Sequence, residues 1–260
     1  MKLLFIGDVV GRPGRQALER KLDRLVDRHQ VDMVVANGEN AAAGFGLTLD
    51  IARELYDAGI DVITSGNHIW DKREIYSYLD EQPRLLRPAN YPSAAPGRGS
   101  GLYTTSAGLK VGVVNLEGRI FMNPLECPFR TADRLVGELR KETKMILVDF
   151  HAEATSEKMA LGHYLDGRVS AVIGTHTHVQ TADEHILPGG TAYMTDAGMT
   201  GARDSVIGIS KEIAIEKFLT QLPNRFDVAK KNPVLNAVLV DIDPATGRAH
   251  AIERILELID

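Results

Sequence analysis

Five short apolar runs in this chain each stop at residues that bind protons or metals, and that recurrence limits the fold more than any other feature. Leu3-Leu4-Phe5-Ile6 is followed by Asp8, and Met33-Val-Val-Ala36 by Glu39 and Asn40. Val62-Ile63-Thr64 leads to Asn67 and His68, Met145 to Phe150 leads to His151, and Val169 to Ile173 leads to His176 and His178. Between the runs lie stretches with helical spacing. Leu18, Leu22, Leu25 and Val26 share one face after Pro13, which a helix N-terminus tolerates. Leu49 to Ala58 reads as a second helix closed by Gly59, and a third runs from about Asp71 to Leu79. Alternating strands and helices make a layered α/β protein. In such sheets ligands bind beyond the carboxyl ends of the strands, where the polar residues gather here.

The segment from Pro83 to Gly101 is rich in Pro, Gly and Ser and reads as a long surface connection. Beyond it, Leu102 to Thr105 and Leu109 to Leu116 pair as strands, and Thr131 to Lys141 and Ser156 to Leu165 are helical. Ala237 to Ile242 and Ala249 to Leu256 face each other across Asp243-Pro-Ala-Thr-Gly247 as a hairpin. No repeat or heptad seam interrupts the pattern. The elements fit one mixed sheet or two packed sheets with helices on the outer faces, in one domain spanning residues 1–260.

Taken singly, the polar residues have ordinary explanations. Asp8 suits a helix N-cap, Asn67 a turn, and His151 a hydrogen-bonded core position. His176 and His178 are harder to explain so, because an extended backbone there sets both rings on one side. His29, His163, His185 and His250 lie in polar or helical settings without such company. The clustered donors are two or three oxygens beside three or four nitrogens, with no thiolate. That excludes a structural cysteine zinc site, disfavours magnesium and calcium, and suits manganese, iron, zinc or cobalt. Seven candidate ligands exceed what one ion takes from protein, whereas two ions sharing a carboxylate use them all. A net charge of −5 gives no general attraction for nucleic acid or anionic membrane, so an anionic substrate needs a local source of positive charge. Tight nucleic-acid binding is not expected. Cys127 is the sole cysteine, which suits a reducing compartment such as the cytoplasm. The first apolar run stops after Ile6, too short for a signal peptide, and no run of about 18 apolar residues predicts a membrane span. A homo-oligomer is expected because symmetric assemblies are common among soluble enzymes.

Gly7-Asp8, Gly66-Asn67-His68, His151 and Gly174-Thr-His176-Thr-His178 resemble the calcineurin-like metallophosphoesterase pattern. That superfamily usually carries Asp-x-His after its first strand and Gly-Asp after its second; here Asp8-Val9-Val10 and Asn37-Gly38-Glu39-Asn40 stand instead. Both departures are similar to the YmdB family of dinuclear-metal phosphodiesterases, as are Gly7-Asp-Val-Val-Gly-Arg12, Cys127-Pro-Phe129 and Asp149-Phe-His-Ala-Glu-Ala-Thr-Ser-Glu-Lys158. The resemblance spans nearly the whole chain. It implies an αββα sandwich of two mixed sheets with the site at its upper edge. It also implies that Asp8, Glu39, Asn40 and His178 bind one ion, that Glu39 bridges to a second, and that Asn67, His151 and His176 complete it. His68 would stand off the metals as proton donor. The substrates so implied are small phosphodiesters, 2',3'-cyclic nucleotides foremost and 3',5'-cyclic nucleotides also. Asn40, a neutral carboxamide where the superfamily has imidazole, favours iron or manganese over zinc. Arg119 and Arg203 are weaker candidates for phosphate contact, and Thr155-Ser-Glu-Lys158 for a helix cap beside His151. Three rival readings remain: a metal-dependent amide or ester hydrolase, a regulatory protein that binds metal and phosphate with incidental turnover, and an enzyme that takes a short RNA end as substrate.

Overall fold

The computed structural model describes residues 1–259. Along the chain run β1 (Lys2–Ile6), β2 (Asp8–Val9), α1 (Gly11–His29), β3 (Met33–Asn37), α2 (Leu49–Asp57) and β4 (Val62–Thr64). A 3-10 turn, Asn67–Asp71, leads to α3 (Ile75–Glu81). Next come β5 (Ser100–Thr104), β6 (Lys110–Glu117), α4 (Pro128–Leu139), β7 (Ile146–His151), α5 (Thr155–Leu165) and β8 (Ala171–Thr175). The chain closes with β9 (His185–Ile186), β10 (Ala192–Met194), β11 (Met199–Ala202), α6 (Lys211–Thr220), β12 (Pro233–Ile242) and β13 (Ala249–Leu258).

The strands form two mixed sheets. One has the order β2-β11-β12-β1-β3-β4, with β13 also paired to β12; the other has the order β5-β6-β7-β8-β10-β9. Strands β1, β3 and β4 are parallel, as are β6, β7, β8 and β10. Strand periodicity explains the layering. In β1, Leu3 and Phe5 point into the core shared by the two sheets, and Leu4 and Ile6 point to the helices. In β7, Leu147 faces that shared core while Ile146, Val148 and Phe150 pack under the opposite helices. Strands apolar on both faces must be covered on both, and each fully buried Leu, Ile, Val or Phe contributes roughly 1.5–3 kcal/mol. The result is the expected four-layer αββα sandwich. In α1 the buried stripe is Ala17, Leu18, Leu22 and Leu25, and the helix stops at Gln30, whose left-handed backbone returns its N–H to the Val26 carbonyl.

Three local expectations change. Pro83 to Gly101 is not simply a surface connection: Leu85 and Leu86 are fully buried, Leu86 in the core between the sheets. The bridge Ile63–Leu85 runs it alongside β4, the bridge Leu86–Arg98 pairs it with itself, and buried Arg87 donates to the carbonyls of Pro88, Ala95 and Pro96. Its Pro and Gly content marks irregular backbone, which stays inside because a side chain satisfies its carbonyls. The single helix expected from about Asp71 is split into the 3-10 turn and α3. Helix α6 was not foreseen, and Ala214 is its only buried residue. No helix among the described residues is long and apolar enough to cross a membrane.

Candidate metal centre

Because the central strands of each sheet are parallel, their carboxyl ends share an edge, and the two edges meet in one bowl. Asp8 sits in β2 just past β1, Glu39 and Asn40 follow β3, and Asn67 and His68 open the 3-10 turn after β4. From the other sheet, His151 ends β7, and His176 and His178 follow β8. Glu39, His151 and His176 present ligand atoms that all lie within 4.8 Å of one another, and so do Asp8, Glu39 and His178. Glu39 belongs to both groups. Asn67 Oδ1 lies 3.2 Å from His151 Nε2, beside the first group. Asn40 Nδ2 lies 3.0 Å from Glu39 Oε1 and 3.2 Å from His178 Nε2, beside the second. His68 is in neither group, although its backbone N–H donates to Glu39 Oε2 at 3.0 Å.

The donor chemistry fits a cation. His151 Nε2 faces Glu39 Oε1 at 3.1 Å, Asn67 Oδ1 at 3.2 Å and His176 Nδ1 at 3.0 Å. One ring proton cannot serve three acceptors, but one positive ion serves all of them. Asp8 Oδ1 and Asn40 Oδ1 are buried and accept no hydrogen bond among the described residues. Buried acceptors left so cost about 1–3 kcal/mol each. A turn of the Asn40 amide aims its oxygen at the same centre. Electrostatics point the same way. Burial raises Asp8, and burial would raise Glu39 too, yet His151 and His68 pull Glu39 down to about 2. Burial opposes charge on His151, but Glu39 and Asp8 outweigh it and push the ring up to about 9: the bowl favours positive charge. Burial and neighbouring His151 drive His176 down to about 3, keeping its lone pair available. Gly66 must be bare, since a Cβ there would lie 2.2 Å from the His151 ring and 2.5 Å from Glu39 Oε2.

Each imidazole is aimed by its second nitrogen. His151 Nδ1 meets Thr175 Oγ1 at 3.0 Å, and that hydroxyl donates to Asp149 Oδ1 at 2.7 Å. Asp149 is fully buried, and burial lifts it to about 7. His178 Nδ1 donates to the Ile207 carbonyl at 2.9 Å, and His176 Nε2 faces Glu153 at 3.2 Å. Such outer partners fix ring orientation and tautomer. The His176-to-His178 backbone is not extended as expected: φ is 99° at His176 and 66° at His178. Non-glycine residues held there cost of order 1–3 kcal/mol each. The rings consequently serve different groups instead of lying side by side. Asp149, Thr175 and Glu153 were missed in the sequence. Asp149 had a signal, since a carboxylate two residues before His151 shares its strand face.

Above the bowl opens a cavity of about 280 Å³. His68 lines it, with Nδ1 2.8 Å from Asp71 Oδ2. The outer wall is apolar, made by Phe45, Ile207, Phe226 and Val228. The Phe45 ring stands edge-on to His68 at 5.1 Å and lies 6.4 Å from the Phe226 ring. This wall was also missed. Arg119 and Arg203 do not line the cavity. Nor is Thr155-Ser-Glu-Lys158 a cap: α5 starts after Ala154 with no side-chain capping bond.

The same architecture recurs in known proteins. A curated relative, the 2',3'-cyclic-nucleotide 2'-phosphodiesterase of Bacillus subtilis (strain 168), is 52% identical over 256 residues, covering 98% of this chain and 97% of its own. A crystal structure of a hypothetical protein from Thermus thermophilus matches with TM-score 0.93 and 46% identity over 99% of both chains. A crystal structure described as a novel phosphatase from Mycoplasma pneumoniae matches with TM-score 0.93 and 35% identity, covering 99% of this chain and 93% of that one. The YmdB-like protein family matches residues 4–255, and with these relatives it shows that the chain belongs to that family.

Proposed function

We propose that this protein is a dinuclear metallophosphodiesterase that hydrolyses 2',3'-cyclic nucleotides. The observation that carries the reading is the pair of ligand groups sharing Glu39 at the foot of a cavity that His68 overlooks. Asp8, Asn40 and His178 would hold one ion, and Asn67, His151 and His176 the other, with Glu39 common to both. When bound, such a pair supplies water activation at neutral pH and neutralises charge developing on the phosphoryl oxygens. The protein's own part is to orient and to move protons. His68 offers Nε2 to the leaving oxygen as general acid, while Asp71 holds Nδ1–H and so fixes the ring. Phe45 and Phe226 give the nucleoside part of the substrate an apolar face to lie against and keep water from that side, while the ribose oxygen that leaves phosphorus stays on the same product. The hard carboxamide of Asn40 favours iron or manganese over zinc. The name of the Bacillus subtilis relative supports the same substrate class.

The test is a substrate panel on one batch of protein whose metal content is measured. We expect two ions per chain, and fastest turnover with 2',3'-cyclic AMP against 3',5'-cyclic AMP and bis-p-nitrophenyl phosphate. Two ions per chain with none of the three hydrolysed would leave a metal- and phosphate-binding protein in place of the enzyme.

A further inference from the structure

The His176-Thr-His178 turn is held from behind by a buried ion pair that the catalytic scheme leaves unused. Asp196, between β10 and β11, is fully buried. Its Oδ2 accepts from the Thr177 amide at 3.0 Å and the Thr177 hydroxyl at 2.8 Å, and its Oδ1 accepts from the Gly198 amide at 2.8 Å. Lys158, on α5 and 1% exposed, brings its ammonium to the same Oδ2 at 2.7 Å. Gly174 leaves room for the lysine stem, since a Cβ there would stand 3.0 Å from Lys158 Cδ and 1.8 Å from the Thr195 carbonyl oxygen. Neither charged residue lines the cavity.

A fold gains little from a buried lysine–carboxylate pair compared with apolar side chains of equal volume. A turn with two non-glycine histidine positions at positive φ, by contrast, persists only where its surroundings over-determine it. The pair supplies that determination. We propose that Lys158 and Asp196 are positioning residues for the metal centre, clamping Thr177 so that the flanking imidazoles diverge. His176 then turns to the group with Glu39 and His151, and His178 to the group with Asp8 and Glu39. One carboxylate thereby sets a ligand of each half. With its charge matched by Lys158, Asp196 serves the turn as an acceptor and is not a further uncompensated anion near Asp8.

This inference rests on reading the bowl as a metal site, and the experiment separates the two. Metal dissociation constants are measured by chelator competition for wild type, Asp196→Asn, Lys158→Met, Thr177→Val and Thr177→Ser, with melting temperatures and manganese EPR spectra on the same samples. Asp196→Asn and Lys158→Met are expected to weaken metal binding by roughly 10–100-fold, as outer-sphere losses do. Thr177→Val should weaken it by a smaller factor, and Thr177→Ser, which keeps the hydroxyl, should restore it. Excess metal should recover kcat in the weakened variants with KM for the diester unchanged. Wild-type metal affinity in folded Asp196→Asn and Thr177→Val, with only melting temperature lowered, overturns the clamp. If Asp196→Asn does not fold, the contrast between Thr177→Val and Thr177→Ser decides alone. A wild-type protein that binds no divalent ion defeats the metal reading itself, and the clamp with it.

Discussion

His68 holds its ring at the cavity rim through Asp71, three residues on in the same 3-10 turn. If it is the proton donor, its value depends on how badly the leaving group needs a proton. Replacing it in His68→Ala should cost about 10²–10⁴ in kcat for a cyclic nucleotide, whose leaving alkoxide is strongly basic. The same variant should lose less than about tenfold on a p-nitrophenyl ester, whose phenolate leaves unaided. Both rates are read with metal content checked, and equal losses on the two substrates would remove His68 from the acid role. The inner residues of the bowl were legible because carboxylates, amides and imidazoles follow five separate apolar runs, a recurrence that the ordinary use of each residue taken singly does not explain. Their partners were not. Asp71 passes for the start of a helix, Thr175 for an ordinary strand residue, and Glu153 for a solvated charge. What distinguishes them is distance across the fold, which spacing along the chain does not encode.

Among the elements, the parallel strands β1, β3, β4, β6, β7 and β8 were readable from continuous apolar runs, and the hairpin of β12 and β13 from alternation around a turn, whereas the short β10 and β11 were not foreseen. Helix α6 was not, because its Ile215, Phe218 and Leu219 point to solvent and no buried stripe marks it. The segment from Pro83 to Gly101 misleads for the opposite reason. Its composition looks exposed, yet Leu85 and Leu86 each fill a core on one side of the first sheet. Leu86→Ala should therefore destabilise the protein by about 2–5 kcal/mol, as for any large-to-small change in a packed core. A true surface connection would respond within about 0.5 kcal/mol. Urea unfolding of Leu86→Ala beside wild type distinguishes the two, and a surface-like response would show that the segment does not seal the inter-sheet core.

At the scale of the molecule, residues alone allowed one sheet or two, and the family resemblance was needed to choose. The reason is that a strand buried on both faces has the same pattern whether a helix or another sheet covers it. The site resolves this ambiguity in space, since Asp8, Glu39 and Asn67 come from one sheet and His151, His176 and His178 from the other. Ions bound between them would staple the sandwich at one end and relieve the mutual repulsion of Asp8 and Glu39. Binding to the native state alone adds about 2.7 kcal/mol of stability when free metal is a hundred times its dissociation constant. In a chain of this length that corresponds to a rise in melting temperature of roughly 5–10 °C. Stripping the protein with a chelator should lower its melting temperature by that amount, and manganese or iron should restore it. A Gly66→Ala variant, whose methyl group intrudes on His151 and Glu39, should lose most of the metal-dependent increment even at high metal. Differential scanning calorimetry with and without metal measures both, and an unchanged melting temperature across all four samples would mean that no ion joins the two sheets.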